Sequence, residues 1–414
     1  MIELGLGRIS RLLRHTPQLW RAVHVAGTNG KGSICAYLSS MLHASGVRCG
    51  RFTSPHLIDR WDCITINEQV VQESLFLDAE RVVRERDKAE GIRATEFELL
   101  TATAFEVFAR EKIEIGVIEV GLGGRIDATN AMENKAVTVI SKIGLDHQSF
   151  LGNTIQEIAR EKAGIMRPGV PCVLDKSNLP DVREVVEGYA RDIGTDLILS
   201  STESSVLDEL SQSNFPPHQW ENLACAYTAF HLAYTKPESP QHRLVAAIQN
   251  VTWPGRLQTV DIRNLTGRRE TALLDGAHNT QSAEVLGAFV DERLRRASKT
   301  TWVLAASQGK ELEGILKPLL HSGDCVAAVR FGPVDGMPWV EAMDPQDILA
   351  AASAAGIDAS LLHNAGSDVS GALRWATTVA DGGPLVIAGS LYLVSDVLRL
   401  LRNAELLKSP LLSS

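Results

Sequence analysis

Several features that would place a chain in a special class are absent from these 414 residues. No run of about 18 apolar residues occurs, so neither a membrane-spanning helix nor a membrane partner is expected. The six cysteines form no Cys-x-x-Cys pair and no metal-finger spacing, which indicates free thiols in a reducing compartment. Aromatic residues amount to only 5%, no Lys/Arg cluster interleaves with them, and the net charge is −9. Nucleic acid is therefore not an expected partner, whereas a small ligand held locally is.

The remaining composition, 44% hydrophobic and 22% charged, is ordinary for a soluble globular enzyme. The length exceeds the size at which one core keeps growing, so two domains are expected. Strand-like runs alternate with helical ones, which predicts an α/β fold with a mostly parallel sheet. The pattern restarts after Trp253-Pro254-Gly255, while residues 198–218 are the least regular. We therefore expect an N-terminal P-loop ATPase domain over 1–252 and a smaller, Rossmann-like C-terminal domain over 253–414.

The segment VAGTNGKGS at 25–33 carries the clearest chemical signal. A short β-branched run precedes it, and apolar residues at helical spacing follow it as far as Gly46. A strand, a Gly-rich turn and a helix direct unpaired backbone N–H groups and the helix dipole at one point, where phosphate binds. Lys31 is expected to reach the outer phosphates and Ser33 to hold Mg²⁺. Val25 replaces the usual first glycine and Gly32 separates lysine from hydroxyl, so this is a variant loop.

Polar residues follow three further strand-like runs, where ligands bind in open parallel sheets. Glu119 ends the run 113–120, and Asp146 and His147 follow the run 136–143. A carboxylate and a neutral imidazole at this edge suit Mg²⁺ opposite the phosphate loop. Ser54 follows the run 47–52, and Pro55 holds it extended. The alternatives are a salt bridge for Glu119, an ordinary histidine for His147 and an ordinary loop for Ser54.

The N-terminal segment carries three arginines among apolar residues, as a mitochondrial presequence does, but Glu3 counts against that interpretation. We expect a native first helix packed beside the phosphate-loop strand. A cytoplasmic protein follows, with a mitochondrial one as the alternative, and we expect it to be a monomer.

Eight segments resemble the motifs of the folylpolyglutamate synthase and dihydrofolate synthase family of Mur-type ligases. In chain order they are GTNGKGS at 27–33, TSPHL at 53–57, EVGLGGRIDATN at 119–130, IGLDH at 143–147, EKAGI at 161–165, WPGRL at 253–257, LDGAHN at 274–279 and GSLYLV at 389–394. They span nearly the whole chain in the right order, which makes an accidental match negligible.

The resemblance implies an ATP-dependent amide ligase, in which ATP phosphorylates a pterin-bearing carboxylate and the amine of L-glutamate attacks the acyl phosphate. The implied ATP-binding residues are Thr28, Asn29, Gly30, Lys31, Gly32, Ser33, Asn222, Arg256 and Asp275. Two Mg²⁺ ions are implied, one held by Ser33 and one by Ser54, Glu119 and His147, and a K⁺ ion is compatible with the pattern. Lys31, Lys162 and His147 form the implied catalytic set, and His278 and Asn279 border the glutamate.

Lys162, in the EKAGI segment, resembles the family's carbamylated lysine, whose CO₂ adduct turns a cation into a carboxylate-like group. The reaction with CO₂ needs a neutral amine, so the surroundings must lower the pKa of Lys162. The alternative is a helical lysine paired with Glu161 or Asp146.

The acceptor carboxylate separates two activities of the family: glutamate addition to dihydropteroate, and further addition to a folate tail. Residues similar to a dihydropteroate pocket are Glu3, Thr95, Glu96, Phe97, Glu98, Ile126, Asp127 and Ala128. Thr95 and Glu98 also form a capping box, which is compatible with both activities. Polyglutamate-adding members usually carry an arginine in a Glu-Arg-Ile segment, where this chain has Asp62-Cys63-Ile64. We therefore expect dihydropteroate as acceptor, with a polyglutamate-adding or bifunctional enzyme as the alternative.

An alternative hypothesis from outside the enzymes is a nucleotide-dependent switch or binding module. It shares the phosphate loop, but the chain has no Asn-Lys-x-Asp guanine-reading motif. A complete second α/β domain also has little use in a simple switch.

Overall fold

The computed structural model describes residues 5–211, 215–234, 240–295 and 299–406. The chain divides into two compact units, Met1–Thr252 and Trp253–Ser414. Strands and helices alternate in both, so the predicted α/β class with mostly parallel sheets is confirmed. Within the described ranges, no helix is both long enough and apolar enough to cross a membrane.

The first unit is built from strands and helices that alternate along the chain. Its strands are β1 (Arg21–Ala26), β2 (Cys49–Phe52), β3 (Ile64–Ile66), β4 (Gln69–Val70), β5 (Ile115–Glu119), β6 (Lys135–Ile140), β7 (Cys172–Leu174) and β8 (Leu197–Leu199). Its helices are α1 (Gly7–Leu13), α2 (Lys31–Ala44), α3 (Glu73–Glu90), α4 (Glu96–Arg110), α5 (Gln148–Leu151), α6 (Ile155–Ala163), α7 (Pro180–Ile193), α8 (Ser205–Leu210), α9 (Pro217–Ala233) and α10 (Gln241–Gln249).

In the part of the first unit that the structure describes, eight strands form a sheet in the order β4-β3-β2-β5-β1-β6-β7-β8. The pairs β2–β3 and β3–β4 are antiparallel, and the others are parallel. β1 lies between β5 and β6, so the loops that follow these three strands share one edge. This edge is where open parallel sheets bind ligands.

Both faces of this sheet are buried at its centre, around β1, β5 and β6, which explains the β-branched residues of these strands. Val23 and Val25 of β1 belong to a core with residues of α2 and α9, and Ala22 belongs to a second core on the other face. That second core includes Ile9 and Leu12 of α1, so the expected first helix is present and packs where its apolar residues predicted.

The second unit repeats the pattern on a smaller scale. Its strands are β9 (Gln258–Val260), β10 (Ala272–Leu274), β11 (Thr301–Leu304), β12 (Cys325–Ala328), β13 (Leu362–Asn364) and β14 (Leu385–Ala388). Its helices are α11 (Arg263–Thr266), α12 (Thr280–Arg293), α13 (Leu312–Leu316), α14 (Pro345–Ala354), α15 (Val369–Ala380) and α16 (Leu391–Leu406). The described strands pair in the order β13-β12-β11-β14-β10-β9, with only β9 antiparallel to its neighbour.

One stretch differs from the sequence-based expectation. The segment 198–218, which we expected to be the least regular part of the chain, holds part of β8, all of α8 and the start of α9. The hydroxyl of Ser204 accepts a hydrogen bond from the backbone N–H of Leu207 and so caps α8. Serine favours the start of a helix as well as a loop, and composition alone does not separate these uses.

Candidate active site

The phosphate loop joins β1 to α2 and depends on two glycines. Gly27 has φ 152°, and a Cβ there would lie 1.7 Å from Oγ of Ser141. Gly30 has φ 87°, and a Cβ there would lie 2.1 Å from Oδ1 of Asn222. Any other residue at either position would collide with a neighbour in a conformation that L-residues rarely adopt. The loop therefore packs tightly against its surroundings while α2 begins with its N–H groups directed at the edge of the sheet.

Two residues at the start of α2 were predicted to meet phosphate and metal. The Lys31 ammonium donates to the carbonyl of Thr28 at 3.1 Å and lies 3.9 Å from Oε1 of Glu119. Ser33, the third residue of α2, is buried in the first turn of the helix. The lysine thus folds back over its own loop, where an outer phosphate group would meet it.

A second segment is tied to the loop through Thr28. The hydroxyl of Thr28 donates to the carbonyl of Gly144 and accepts from the N–H of Gly144, both at 3.0 Å. The N–H groups of Thr28 and Asn29 donate to the carbonyl of Lys142. These bonds fix the IGLDH segment beside the phosphate loop.

Glu119 ends β5 at the same edge and is only 6% exposed. Its Oε2 accepts the backbone N–H of Ser54 at 3.2 Å, across from the Lys31 contact. The Ser54–Pro55 peptide bond is cis. The TSPHL segment, β5 and the phosphate loop therefore meet at one buried carboxylate, as the strand-end argument predicted.

These oxygen donors suit a hard cation such as Mg²⁺. Among the described residues, no three His, Cys, Asp or Glu side chains form a group that could hold a metal by themselves. A Mg²⁺ ion bound at Glu119 would therefore complete its shell with hydroxyls, waters and phosphate oxygens, as magnesium in nucleotide sites commonly does. Glu119 thus offers the kind of oxygen ligand that Mg²⁺ prefers, and the two expected ion sites stay predictions.

His147 lies in a left-handed conformation with φ 53° and has an exposed side chain. Its backbone N–H donates to Oδ1 of Asp146 at 2.8 Å, and its Nε2 lies 3.9 Å from Oδ2 of the same carboxylate. Asp146 therefore orients the residue at the end of the IGLDH segment.

Lys162 is buried beneath the phosphate loop. Its side chain, on α6, is 4% exposed, and its Nζ donates to the carbonyl of Gly27 at 2.8 Å. Burial, together with the nearby charge of Lys31, lowers the pKa of Lys162 to about 7. A large fraction of this amine is therefore neutral near pH 7. Its reaction with CO₂ requires the neutral form. Glu161 next to it pairs instead with the exposed Arg125 at 2.9 Å.

The loop 121–130 is held together by Asp127 from within. Asp127 is 1% exposed, and its oxygens accept from the N–H of Leu122 at 2.8 Å and from the N–H and hydroxyl of Thr129. Burial raises the pKa of Asp127. The Thr129 hydroxyl also lies 2.8 Å from Nε2 of the buried His24, on β1. The carboxylate thus shapes the loop, and its direct contact with an acceptor stays a prediction. On either side of it, Ile126 is half-buried and Ala128 is buried.

The residues expected around the acceptor at the start of α4 have separate tasks. Thr95 and Glu98 form the expected capping box, and Glu98 also accepts from Nε of Arg8 at 2.9 Å. Phe97 stacks on Phe52 at 6.4 Å, and the backbone of Gly121 lies against its ring. Glu96 is half-exposed and pairs with Arg84 at 2.7 Å. Glu3 lies outside the described residues.

In the second unit, Asp275 joins the WPGRL and LDGAHN segments. Its carboxylate is buried and accepts from the N–H of Leu257 at 2.7 Å and of Ala277 at 2.8 Å. Burial raises its pKa, while the charge of Arg256 opposes that shift. His278 uses Nδ1 to contact the carbonyl of Gly276 at 2.7 Å, and Asn279 caps α12 through Ser282.

Comparisons with known proteins show which family this chain resembles. A family model described as dihydrofolate synthetase, C-terminal domain, matches residues 258–400. The chain is 38% identical to the probable dihydrofolate synthetase of Schizosaccharomyces pombe over 421 residues, which covers 97% of this chain and 99% of that protein. It is also 38% identical to the dihydrofolate synthetase of Saccharomyces cerevisiae, with 96% and 98% covered.

This similarity decides the family. The chain belongs to the dihydrofolate synthase and folylpolyglutamate synthase family. The resemblance inferred from the eight motifs is thereby confirmed.

Solved structures of the family share the fold. Folylpolyglutamate synthase of Mycobacterium tuberculosis, complexed with ADP and AMPPCP, superposes with a TM-score of 0.82 at 27% identity and covers 96% of this chain and 95% of its own. Escherichia coli FolC in complex with DHPP and ADP gives 0.81 at 25% identity, with 98% and 94% covered. The bifunctional synthase of Yersinia pestis, complexed with AMPPNP and Mn ion, gives 0.80 at 27% identity, with 97% and 94% covered.

Two further residues that support the phosphate loop were not predicted from the sequence. The hydroxyl of Ser141 donates to the carbonyl of Asn29 at 2.7 Å and supports the loop that Gly27 opens. Asn178 accepts the N–H of Ile143 at 2.8 Å and donates to the carbonyl of Ser141 at 3.2 Å. Ser141 directly follows β6 in the structure, but it lies inside the predicted run 136–143, so the strand-end argument did not mark it. Asn178 lies 35 residues from Ile143, and nothing in its neighbourhood signals the contact.

Proposed function

We propose that this chain is an ATP-dependent ligase that joins L-glutamate to the carboxylate of 7,8-dihydropteroate, giving dihydrofolate, ADP and phosphate. The observation that carries the proposal is its 38% identity, over nearly the full length of both chains, to two dihydrofolate synthetases. The buried Glu119 and Lys162 lie with the partly buried Lys31 around one phosphate loop, and this arrangement supports the proposal.

The reaction has two steps. An oxygen of the acceptor carboxylate attacks the γ-phosphorus of ATP, and ADP leaves. The amine of glutamate then attacks the carbonyl carbon of the acyl phosphate, the amine loses a proton and phosphate leaves. Lys31 and the N–H groups at the start of α2 stabilise the negative charge that develops on the transferred phosphoryl group. Thr28, Asn29, Gly30 and Gly32 shape the loop that cradles it.

Solved members of the family are complexed with nucleotides, and one of them also with Mn ion. For this chain we propose Mg²⁺ at two sites, one held by Ser33 and one by Ser54, Glu119 and His147, with K⁺ as an additional ion. The metal would neutralise charge between the γ-phosphate and the acceptor carboxylate. Asn222, packed against Gly30, is proposed at the adenine. In the second unit, Arg256 and Asp275 stay proposed as ATP contacts, and His278 and Asn279 as neighbours of glutamate.

We propose that Lys162 is carbamylated in the active enzyme. Its burial, its lowered pKa and its contact with the phosphate loop support this role. A carbamate would place negative charge beside the metal-binding edge of the sheet. A mass increase on the peptide containing Lys162 that exchanges with labelled CO₂ would support it, and an unmodified lysine in the active, substrate-bound enzyme would contradict it.

The acceptor is proposed to lie among Glu96, Phe97, Ile126 and Ala128. Thr95, Glu98 and Asp127 are proposed to shape the backbone beneath it.

The six cysteines are free and buried, which supports a reducing compartment and hence our proposal of a cytoplasmic enzyme.

The decisive experiment is phosphate release by the full chain with Mg·ATP. We expect release only when both dihydropteroate and L-glutamate are present, together with stoichiometric dihydrofolate. Release that is indifferent to both would indicate an ATPase or a nucleotide switch instead.

The alternative is a polyglutamate-adding or bifunctional enzyme. Its support is the 32% identity to the dihydrofolate synthase/folylpolyglutamate synthase of Bacillus subtilis. Competition between dihydropteroate and tetrahydrofolate at saturating ATP and glutamate separates the two. We expect dihydropteroate to be preferred by at least about 100-fold in kcat/KM, or roughly 2.7 kcal/mol. Comparable values would indicate a bifunctional enzyme.

A further inference from the structure

A buried carboxylate on α3 binds two arginines at once. Glu80 is 7% exposed, and Arg60 donates both terminal nitrogens to its carboxylate, with Nη1 3.1 Å from Oε2. Arg84, one turn further along α3, donates Nε and Nη2 to Oε1 at 3.0 and 2.9 Å. Burial by itself would raise the pKa of Glu80, but the hydrogen bonds and charges of the two arginines bring it below its usual value. Glu80 is therefore a fixed anion.

The two arginines belong to segments that lead to the site described above. Arg60 lies on the segment 54–63, whose first residue bonds to Glu119, and its guanidinium sits 5.4 Å from the ring centroid of Phe76. Arg84 also donates to both oxygens of Glu96, at 3.2 and 2.7 Å, directly before Phe97. The four side chains Arg60, Glu80, Arg84 and Glu96 thus form one connected group with no net charge.

We infer that Glu80 is a specificity-determining residue that keeps these arginines from binding a second carboxylate on the acceptor. The inference rests on the proposed function. Dihydropteroate offers one carboxylate, which the reaction consumes, whereas its glutamate conjugate offers two. A guanidinium binds carboxylates bidentately, and Arg60 and Arg84 make that kind of contact with Glu80 and Glu96. The group therefore gives no electrostatic advantage to an acceptor that already carries glutamate.

The test is Glu80→Gln in the full chain, which keeps the size of the side chain and leaves the group with one net positive charge. We expect kcat/KM for dihydrofolate as acceptor to rise about three- to tenfold, because the uncompensated positive charge of the group attracts the additional carboxylate. The value for dihydropteroate should change less than about twofold, and inhibition by dihydrofolate as product should tighten by the same factor. Added KCl should diminish both gains.

Two controls separate charge at this group from charge in general. Glu85→Gln removes the same charge from the same helix, at an exposed pair with Arg81, and should leave the ratio of the two acceptors unchanged. The double variant Arg60→Gln with Glu80→Gln restores neutrality and should return the ratio to that of the wild type.

A ratio in Glu80→Gln equal to that of the wild type, in a variant that still uses dihydropteroate, would overturn the inference. If that variant does not fold, Arg84→Gln tests the opposite change in charge. The group then has one net negative charge, and product inhibition by dihydrofolate should weaken. Unchanged product inhibition there would also overturn it. A wild-type enzyme that cannot use dihydropteroate at all would instead refute the proposed function.

Discussion

Lys162 illustrates how one buried side chain couples stability to pH. Its amine titrates near pH 10.5 in the unfolded chain and about 7 in the folded one. Between these values the unfolded state binds the extra proton, so stability rises with pH from about 7 to 10.5, and the full cost of the buried amine is felt below 7. In CO₂-free buffer, where the amine carries no carbamate, we expect Lys162→Met to be more stable than the wild type by roughly 2–4 kcal/mol at pH 6, because methionine has nothing to deprotonate.

Urea unfolding at pH 6, 7.5 and 9 measures this difference. It should shrink as the pH rises, since the wild type gains stability and the variant does not. A difference independent of pH would show that Lys162 is not held neutral by the fold. Leu42→Ala, a buried apolar truncation on α2, is the control and should lower stability equally at all three pH values.

Glu119 acts at the same scale through charge. We expect Glu119→Ala to reduce ligation by several orders of magnitude, because it removes the buried carboxylate that faces Lys31 and the TSPHL segment. The free energy of unfolding should change little, since Glu119 contributes charge rather than core packing.

Steady-state ligation at saturating Mg²⁺ checks this prediction. A variant that keeps a tenth of the wild-type turnover would contradict the proposed role of Glu119 in binding the metal. Glu111→Ala, at a surface pair with Arg48, should leave turnover intact.

At the scale of an element, glycines flank both ends of α2 and have different structural roles. Gly30 and Gly46 both have positive φ, 87° and 74°, but a Cβ at Gly30 would strike Asn222 whereas one at Gly46 would meet nothing within 4 Å. We expect Gly46→Ala to cost only the backbone strain, about 1 kcal/mol. Gly30→Ala should in addition displace the phosphate loop and weaken ATP binding at least about tenfold, or 1.4 kcal/mol.

Calorimetric titration with Mg·ATP, together with urea unfolding of both variants, distinguishes the two duties. Equal ATP affinities in Gly30→Ala and Gly46→Ala would contradict the claim that Gly30 shapes the phosphate loop.

At the scale of the whole molecule, each unit has an apolar core of its own. Leu42 lies in the core of the first unit and Leu304 in that of the second, and both are at most 1% exposed. Truncation of either to alanine should cost about 2–5 kcal/mol. We expect hydrogen exchange to accelerate only within the unit that carries the substitution, because each core stabilises its own strands and helices.

Exchange measured by mass spectrometry on both variants tests this independence. Faster exchange across both 5–252 and 253–406 after either substitution would show that the chain unfolds as one cooperative body.

The sequence by itself determined the α/β class, the family and the residues to examine at the strand ends. Periodicity marks a buried strand or helix because the burial of apolar side chains repeats along the chain. Glycines at 27 and 30, a lysine and a serine identify the phosphate loop because the geometry of phosphate binding admits few residue types. Strand limits were less accurate, since β6 begins at the buried Lys135, which hydropathy assigns to a surface.

Only the tertiary structure decided what each candidate side chain contacts. Asp127 and Asp146 are both acidic residues of recognised motifs, yet one holds a loop from inside and the other orients His147. Lys162 lies 135 residues from Gly27, and its lowered pKa arises from burial beneath a loop that the local sequence does not reveal. Contacts between distant segments depend on how strands and helices pack, so a pattern of residue types identifies candidates, and packing assigns their partners, their burial and their charge.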